Sequence, residues 1–294
     1  MKETRKFLES LGFPTADGYD LPTSAKRFPD GAQYRFEIPS VEGPRCLQTV
    51  IDEAKKYKLT IHRVSQGSGI LLQTDDEIKE MLRIAKDQQM EVSLFVGPRA
   101  TWDIGAQPLT PAGKNIGLGL RGMDQVVYAI EDIKRGCDLG LRGILVADLG
   151  LLWLVNEMKK AGKLPANLVV KISVQLSATN PIAVKILEDF GAGTFNVSSD
   201  QPLPLLASIR QAVSIPLDFY VESPDNFGGS SGTLRSRNSS AFSLRSMSSW
   251  ACATRRISIP AAATLKQRRL PSPKNASVAP RSPSTRFSVT APKQ

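Results

Sequence analysis

Polar side chains recur at every second position in several short runs that are otherwise rich in β-branched and aromatic residues. Lys171, Ser173 and Gln175 alternate with Val170, Ile172 and Val174, and Asp218, Tyr220 and Glu222 alternate with Leu217, Phe219 and Val221. Arg35 and Glu37 repeat the pattern, as do Thr194, Asn196 and Ser198, and another run ends at Asp148. Residues two apart on a strand share a face, and an unpartnered buried charge costs several kcal/mol. These groups must therefore pair, meet water or hold a ligand. Glu37, Lys171, Asp218 and Glu222 form a candidate catalytic set for general acid/base chemistry. Arg63, Ser65, Gln66, Arg99, Asp148, Gln175, Asn196, Tyr220 and Asn226 offer cationic and hydrogen-bonding groups for a polar small-molecule or peptide-like substrate. Lys171 can alternatively form a Schiff base with a carbonyl substrate, as in a lyase or aldolase, provided its pKa is lowered. Taken singly, each of these residues also fits an interior salt bridge or a layer-filling hydrogen bond.

Other chemistries lack their residues. Cys46, Cys137 and Cys252 show no CxxC spacing, and His62 is the only histidine. Cysteine-ligated zinc, iron–sulfur and multi-histidine sites are thus disfavoured, no metal is expected, and the sequence specifies no cofactor. A Ser-His-Asp triad would depend on His62, which sits near the start of its run and reads as a packing residue. Trp102 and Asp103 lie in a long loop and can cover a ligand or pack on a neighbouring loop. Trp153 falls in an apolar helical run and reads as core.

The elements that carry these residues alternate. Runs over 34–38, 60–65, 91–96, 143–148, 168–176, 194–198 and 216–222 read as strands, and amphipathic helical stretches follow them. One such helix gathers Leu47, Val50 and Ile51 on one face, and the next gathers Ile78, Met81 and Ala85, with Asp75 or Asp76 as its cap. Strand starts recur every 22–31 residues or so, except where a Gly- and Pro-rich insertion spans 98–122, and this is the pitch of a βα barrel. A doubly wound sheet would want GxGxxG after its first strand, where the chain has Glu37-Ile38-Pro39-Ser40-Val41-Glu42-Gly43-Pro44. The fold class expected is α/β, a (β/α)₈ TIM-like barrel, with Gly67-Ser68-Gly69 as an ordinary βα turn.

Charge divides the chain in two. Of 38 Lys and Arg, 12 lie in 230–294, which hold no Asp or Glu and 15 serines, whereas residues 1–229 hold 26 basic and 28 acidic groups. The expectation is a barrel domain over 1–229 with seven recognisable strands and a disordered basic Ser/Arg/Pro-rich tail over 230–294. Binding to RNA is expected only through that tail, whose phosphate contacts would make it salt-dependent. No apolar run is long enough to span a membrane, and the N-terminus has no signal-peptide core, so a cytoplasmic location is expected.

Four strings carry a family resemblance: Leu21-Pro22-Thr23-Ser24, Lys26-Arg27-Phe28-Pro29-Asp30-Gly31-Ala32-Gln33-Tyr34, Arg63-Val64-Ser65-Gln66-Gly67-Ser68-Gly69 and Val221-Glu222-Ser223-Pro224-Asp225-Asn226. Together they resemble the U-32 peptidase family (collagenase-like peptidases) in its barrel-only branch, over roughly residues 1–229. The resemblance implies a barrel and a peptidase-type hydrolase. The family's clustered cysteines are absent here, so its iron–sulfur cluster is not carried over. With one base restored after the Gly229 codon, codons compatible with residues 230–241 can spell FIRYAEIPEFIR, and those for 245–252 can yield VYVKLGL, similar to the family's continuation. On that reading a frameshift replaced the eighth βα unit, leaving an inactive remnant with two open sheet edges.

Overall fold

The structure is a computed structural model in which residues 1–198, 200–220 and 255–258 of the chain are described. It divides into Met1–Thr264 and Leu265–Gln294. Every described residue belongs to the first unit.

The β-branched and aromatic runs form parallel strands: β1 (Tyr34–Ile38), β2 (Arg63–Gln66), β3 (Glu91–Phe95), β4 (Gly143–Val146), β5 (Val169–Ile172), β6 (Thr194–Asn196) and β7 (Leu217–Tyr220). Six helices follow the first six of them: α2 (Pro44–Lys56), α3 (Asp75–Asp87), α4 (Gly122–Asp138), α5 (Leu149–Lys160), α6 (Pro181–Asp189) and α7 (Leu203–Ala212). A separate helix, α1 (Lys2–Ser10), opens the chain and buries none of its residues. Local chemistry sets the helix starts. Pro44 and Pro181 occupy first-turn positions, where a missing N–H costs nothing. Asn180 accepts from the Ala183 N–H at 2.9 Å. Thr74, not Asp75 or Asp76, caps α3: its hydroxyl accepts from the Glu77 N–H while the Glu77 carboxylate accepts from the Thr74 N–H at 2.9 Å. The two aspartates instead occupy the first turn, where negative charge meets the helix dipole.

Alternation along each strand sorts the side chains. Val64, Val92, Leu94, Ile144, Val146, Val170, Ile172, Phe195, Leu217 and Phe219 face outward and pack with Leu47, Ile51, Met81, Ile133, Leu152, Leu187 and Ile209 of the helices in one core. Each such side chain contributes about 1.5–3 kcal/mol by leaving water. Trp153 is not part of this core. It is 51% exposed, on the outer face of α5.

An eighth strand, β8 (Arg255–Ser258), lies within the basic tail. It pairs in parallel with β7 (Asp218↔Arg256, Phe219↔Ile257) and with β1 (Arg35↔Arg256, Phe36↔Ile257), so the strand order closes from β1 to β8. Four residues of the tail thus pair with both β1 and β7, the two edges that seven strands alone would leave open. The remaining tail residues lie outside the described ones. No helix among the described residues is long and apolar enough to cross a membrane.

Candidate active site

The inward faces of four strands bring four charges together. Glu37 from β1, Arg63 from β2, Lys171 from β5 and Asp218 from β7 are all at most 2% exposed. The Arg63 guanidinium donates through Nε to Glu37 Oε2 at 2.7 Å, and through Nη2 to the same oxygen and to Asp218 Oδ2 at 2.5 Å. Lys171 Nζ donates to Glu37 Oε1 at 2.6 Å and lies 3.3 Å from Asp218 Oδ2. Two cations meet two carboxylates, so the quartet is neutral as a whole, which is what lets it sit away from water. Asp218 Oδ1 has no hydrogen-bond partner among the described residues. Burial pushes the Lys171 pKa below the usual lysine value and the neighbouring Arg63 charge adds to this, against the pull of Asp218 and Glu37. Burial also works against the Arg63 charge, but Asp218 and Glu37 outweigh it and hold the guanidinium above its ordinary pKa.

Two residues further along their strands, on the inward face, lie Ser65 and Ser173, both buried, and Asn196 is buried on β6. On the β3–β4 side the interior turns apolar, with Phe95, Leu145 and Ala147 clustered beneath Leu118. The inward side chains toward the carboxyl ends thus divide into a polar half and an apolar half.

The other sequence-derived candidates hold loops. Gln66 accepts from the Gly69 N–H at 2.8 Å and donates to Ser68. Arg99 donates to the carbonyls of Gly67 and Ser68 and stacks over Phe95 at 4.1 Å and Trp102 at 5.0 Å, so Trp102 packs on the loop. Burial lowers the Arg99 pKa. Asp148 caps α5 by accepting from the Leu151 N–H at 2.8 Å, and it accepts from Leu120 at 3.0 Å. Gln175 leaves the face of Lys171 and Ser173, because the chain turns into a 3-10 turn over Val174–Leu176 and Ser177 takes a left-handed φ of 61°. Tyr220 ends β7. Glu222 and Asn226 lie outside the described residues. His62 Nδ1 accepts from the Phe36 N–H at 3.1 Å, a backbone tie rather than a triad contact.

No family model matches the chain, and no curated protein does. Among solved structures, the U32 peptidase Mk0906 aligns at TM-score 0.47 and 16% identity, covering 82% of this chain and 97% of its own. The YdjI aldolase from Escherichia coli K12 aligns at 0.45 and 18% identity, covering 77% of this chain and 75% of its own. Deoxyribose phosphate aldolase from Aeropyrum pernix aligns at 0.45 and 12% identity, covering 79% and 87%.

Two buried groups and one half-buried lysine escaped the sequence reading. Ser93 of β3 is 2% exposed with no hydrogen-bond partner for its hydroxyl among the described residues. Asp132 of α4 accepts from the Gly97 N–H at 3.3 Å, and burial raises its carboxyl to about 6. Lys26 reaches the carbonyls of Val213 and Arg210 behind α7, and burial followed by the Arg210 charge lowers its pKa to about 8. Period-2 alternation marks Ser93 in retrospect. A lone acid inside an amphipathic helix, like Asp132, carries no such mark. Among the described residues, no group of three or more His, Cys, Asp or Glu is placed to hold a metal ion.

Proposed function

We propose that this chain is a barrel enzyme that moves a proton on a polar small-molecule or peptide-like substrate, with Lys171 and Glu37 as the proton-transfer pair. The observation that carries the reading is the buried Lys171 ammonium, held 2.6 Å from Glu37 Oε1 with its pKa lowered by burial. A lysine drawn toward neutrality beside a carboxylate is suited to give and take a proton. Arg63 and Asp218 are positioning residues that fix the pair, and Ser65, Ser173 and Asn196 line the approach from the carboxyl ends of the strands. A peptide-like substrate and a hydrolase reaction follow from the resemblance to U-32 peptidases. A second reading, an aldolase or lyase with Lys171 as Schiff-base former, draws on the same lowered pKa.

Incubating the full chain with candidate carbonyl compounds and borohydride, then weighing the protein, separates the two. A reduced adduct on Lys171 selects the Schiff base. Turnover of a polar substrate without an adduct, lost in Lys171→Met and in Glu37→Gln, selects proton transfer. Turnover unchanged in both variants removes the assignment.

A further inference from the structure

The amino ends of β3 and β4 are less closely paired than their carboxyl ends. Their register pairs Leu94 with Ile144 and Phe95 with Leu145, and it stops short of Glu91, Val92 and Ser93. Beside these three residues, which pair with Arg63, Val64 and Ser65 of β2, and between the C-terminal half of α3 and the turns before β4 and β5, lies a cavity of about 770 Å³. Its inner lining includes the buried Ser93, Arg63 and Lys171, and its outer lining includes the exposed Lys79 and Lys86. This is the face opposite the carboxyl ends, where barrel enzymes place their chemistry.

The cavity's charges do not cancel. Glu91 is engaged by Arg35 at 3.4 Å, and Arg83 by Glu80 at 2.7 Å and Asp87 at 3.3 Å. Arg63 and Lys171 are matched by Glu37 and Asp218. Among the described residues, Arg142 donates to neutral acceptors, the carbonyls of Cys137 at 2.9 Å and Leu141 at 2.7 Å. Lys79 and Lys86 make no ion pair among the described residues. Arg35 is shared with Asp30 at 2.9 Å and Arg83 serves two carboxylates, so those groups carry a small negative excess, while Lys79, Lys86 and Arg142 are three cations with no carboxylate paired to them among the described residues, and the opening is positive on balance. Behind them the wall is apolar, with Leu82, Met90, Val92 and Leu139. At the inner end, the Ser93 hydroxyl is 2% exposed and without a hydrogen-bond partner among the described residues, a costly arrangement unless something meets it.

We infer that this cavity binds an amphipathic anion, a carboxylate or phosphate head on an apolar body, whose head meets Lys79, Lys86 and Arg142 and whose inner end carries a polar group that meets Ser93. The cavity reaches Lys171 and Arg63 from below, but the residues that the inference uses, Lys79, Lys86, Arg142 and Ser93, are no part of the proton-transfer pair or of its positioning residues.

The test titrates the full chain with decanoate, ω-hydroxydecanoate and decanol by calorimetry. Both acids should bind, with decanol about tenfold weaker, since one charge-assisted contact is worth roughly that ratio. The Lys79→Ala/Lys86→Ala variant, changed only at exposed positions, should weaken both acids about tenfold while leaving decanol as it was. Ser93→Ala should erase the advantage of ω-hydroxydecanoate over decanoate. Equal binding of acid and alcohol, no binding of either acid, acid affinities unmoved in the lysine variant, or an ω-hydroxyl advantage untouched by Ser93→Ala would overturn the inference.

Discussion

Replacing Glu37 by Gln removes the carboxylate that faces both Arg63 and Lys171, leaving two buried cations to share Asp218. At the 2.6 Å separation of Lys171 Nζ from Glu37 Oε1, the gross attraction is about 6 kcal/mol at an effective dielectric of 20. Desolvation and relaxation reduce what is measured, and breaking a buried pair from one side typically costs about 3–5 kcal/mol. Lys171→Met should cost a similar amount for the opposite reason, because it strands a net negative charge among Glu37, Arg63 and Asp218. The double variant leaves only the neutral Arg63–Asp218 pair, whose Nη2–Oδ2 distance is 2.5 Å, so its cost should fall short of the sum of the singles by at least about 2 kcal/mol. Urea unfolding of the four proteins, followed by circular dichroism, measures the cycle. Additive costs, or single variants each within about 1 kcal/mol of the parent, would refute a closed quartet.

Asp132→Asn tests the carboxyl raised to about 6. Because the folded state holds this proton more tightly than the unfolded chain, stability falls as pH rises from about 4 to 6 and then levels. The variant should lack that fall and gain up to about 2–3 kcal/mol over the parent at pH 7 by chemical unfolding, whereas parallel pH profiles would contradict the assignment. Thr74→Ala removes the hydroxyl from the capping box at the start of α3 and should cost about 1 kcal/mol, read as a lower urea midpoint at unchanged slope. Ile257→Pro deletes an N–H in the closing strand between β7 and β1 and should cost at least about 2 kcal/mol by thermal unfolding, whereas an unchanged midpoint would deny that β8 closes the barrel.

Much of the barrel was legible because its strands obey simple alternation. Tyr34–Ile38 is recovered to the residue, and β3, β4, β6 and β7 begin within a residue of their expected starts, since Val, Ile, Leu and Phe on their outward faces must meet the helices. The inward charges were legible for the same reason: Glu37, Lys171 and Asp218 stand in apolar runs, where a charge needs a partner. What sequence could not supply was the partner. Arg63 was read as a substrate contact, yet the register places it opposite Glu37, and its guanidinium serves both carboxylates. Loop residues failed differently. Asp148 and Arg99 have the chemistry of ligand contacts, but backbone N–H groups and carbonyls near them claim it first. β8 was hidden because Arg255-Arg256-Ile257-Ser258 has one apolar residue and no apolar helical period after it, so only closure of the sheet gives it a role.

The reaction assigned to Lys171 and Glu37 is tested most directly by screening the full chain against polar carbonyl metabolites and short peptides for thermal stabilisation and turnover, beside the charge-balanced Glu37→Gln/Lys171→Met protein. The quartet account predicts at least one compound that raises the parent's melting temperature and is consumed by it, while the folded double variant consumes none. A compound consumed equally by both proteins would contradict it, as would a parent that neither binds nor turns over any member of either class.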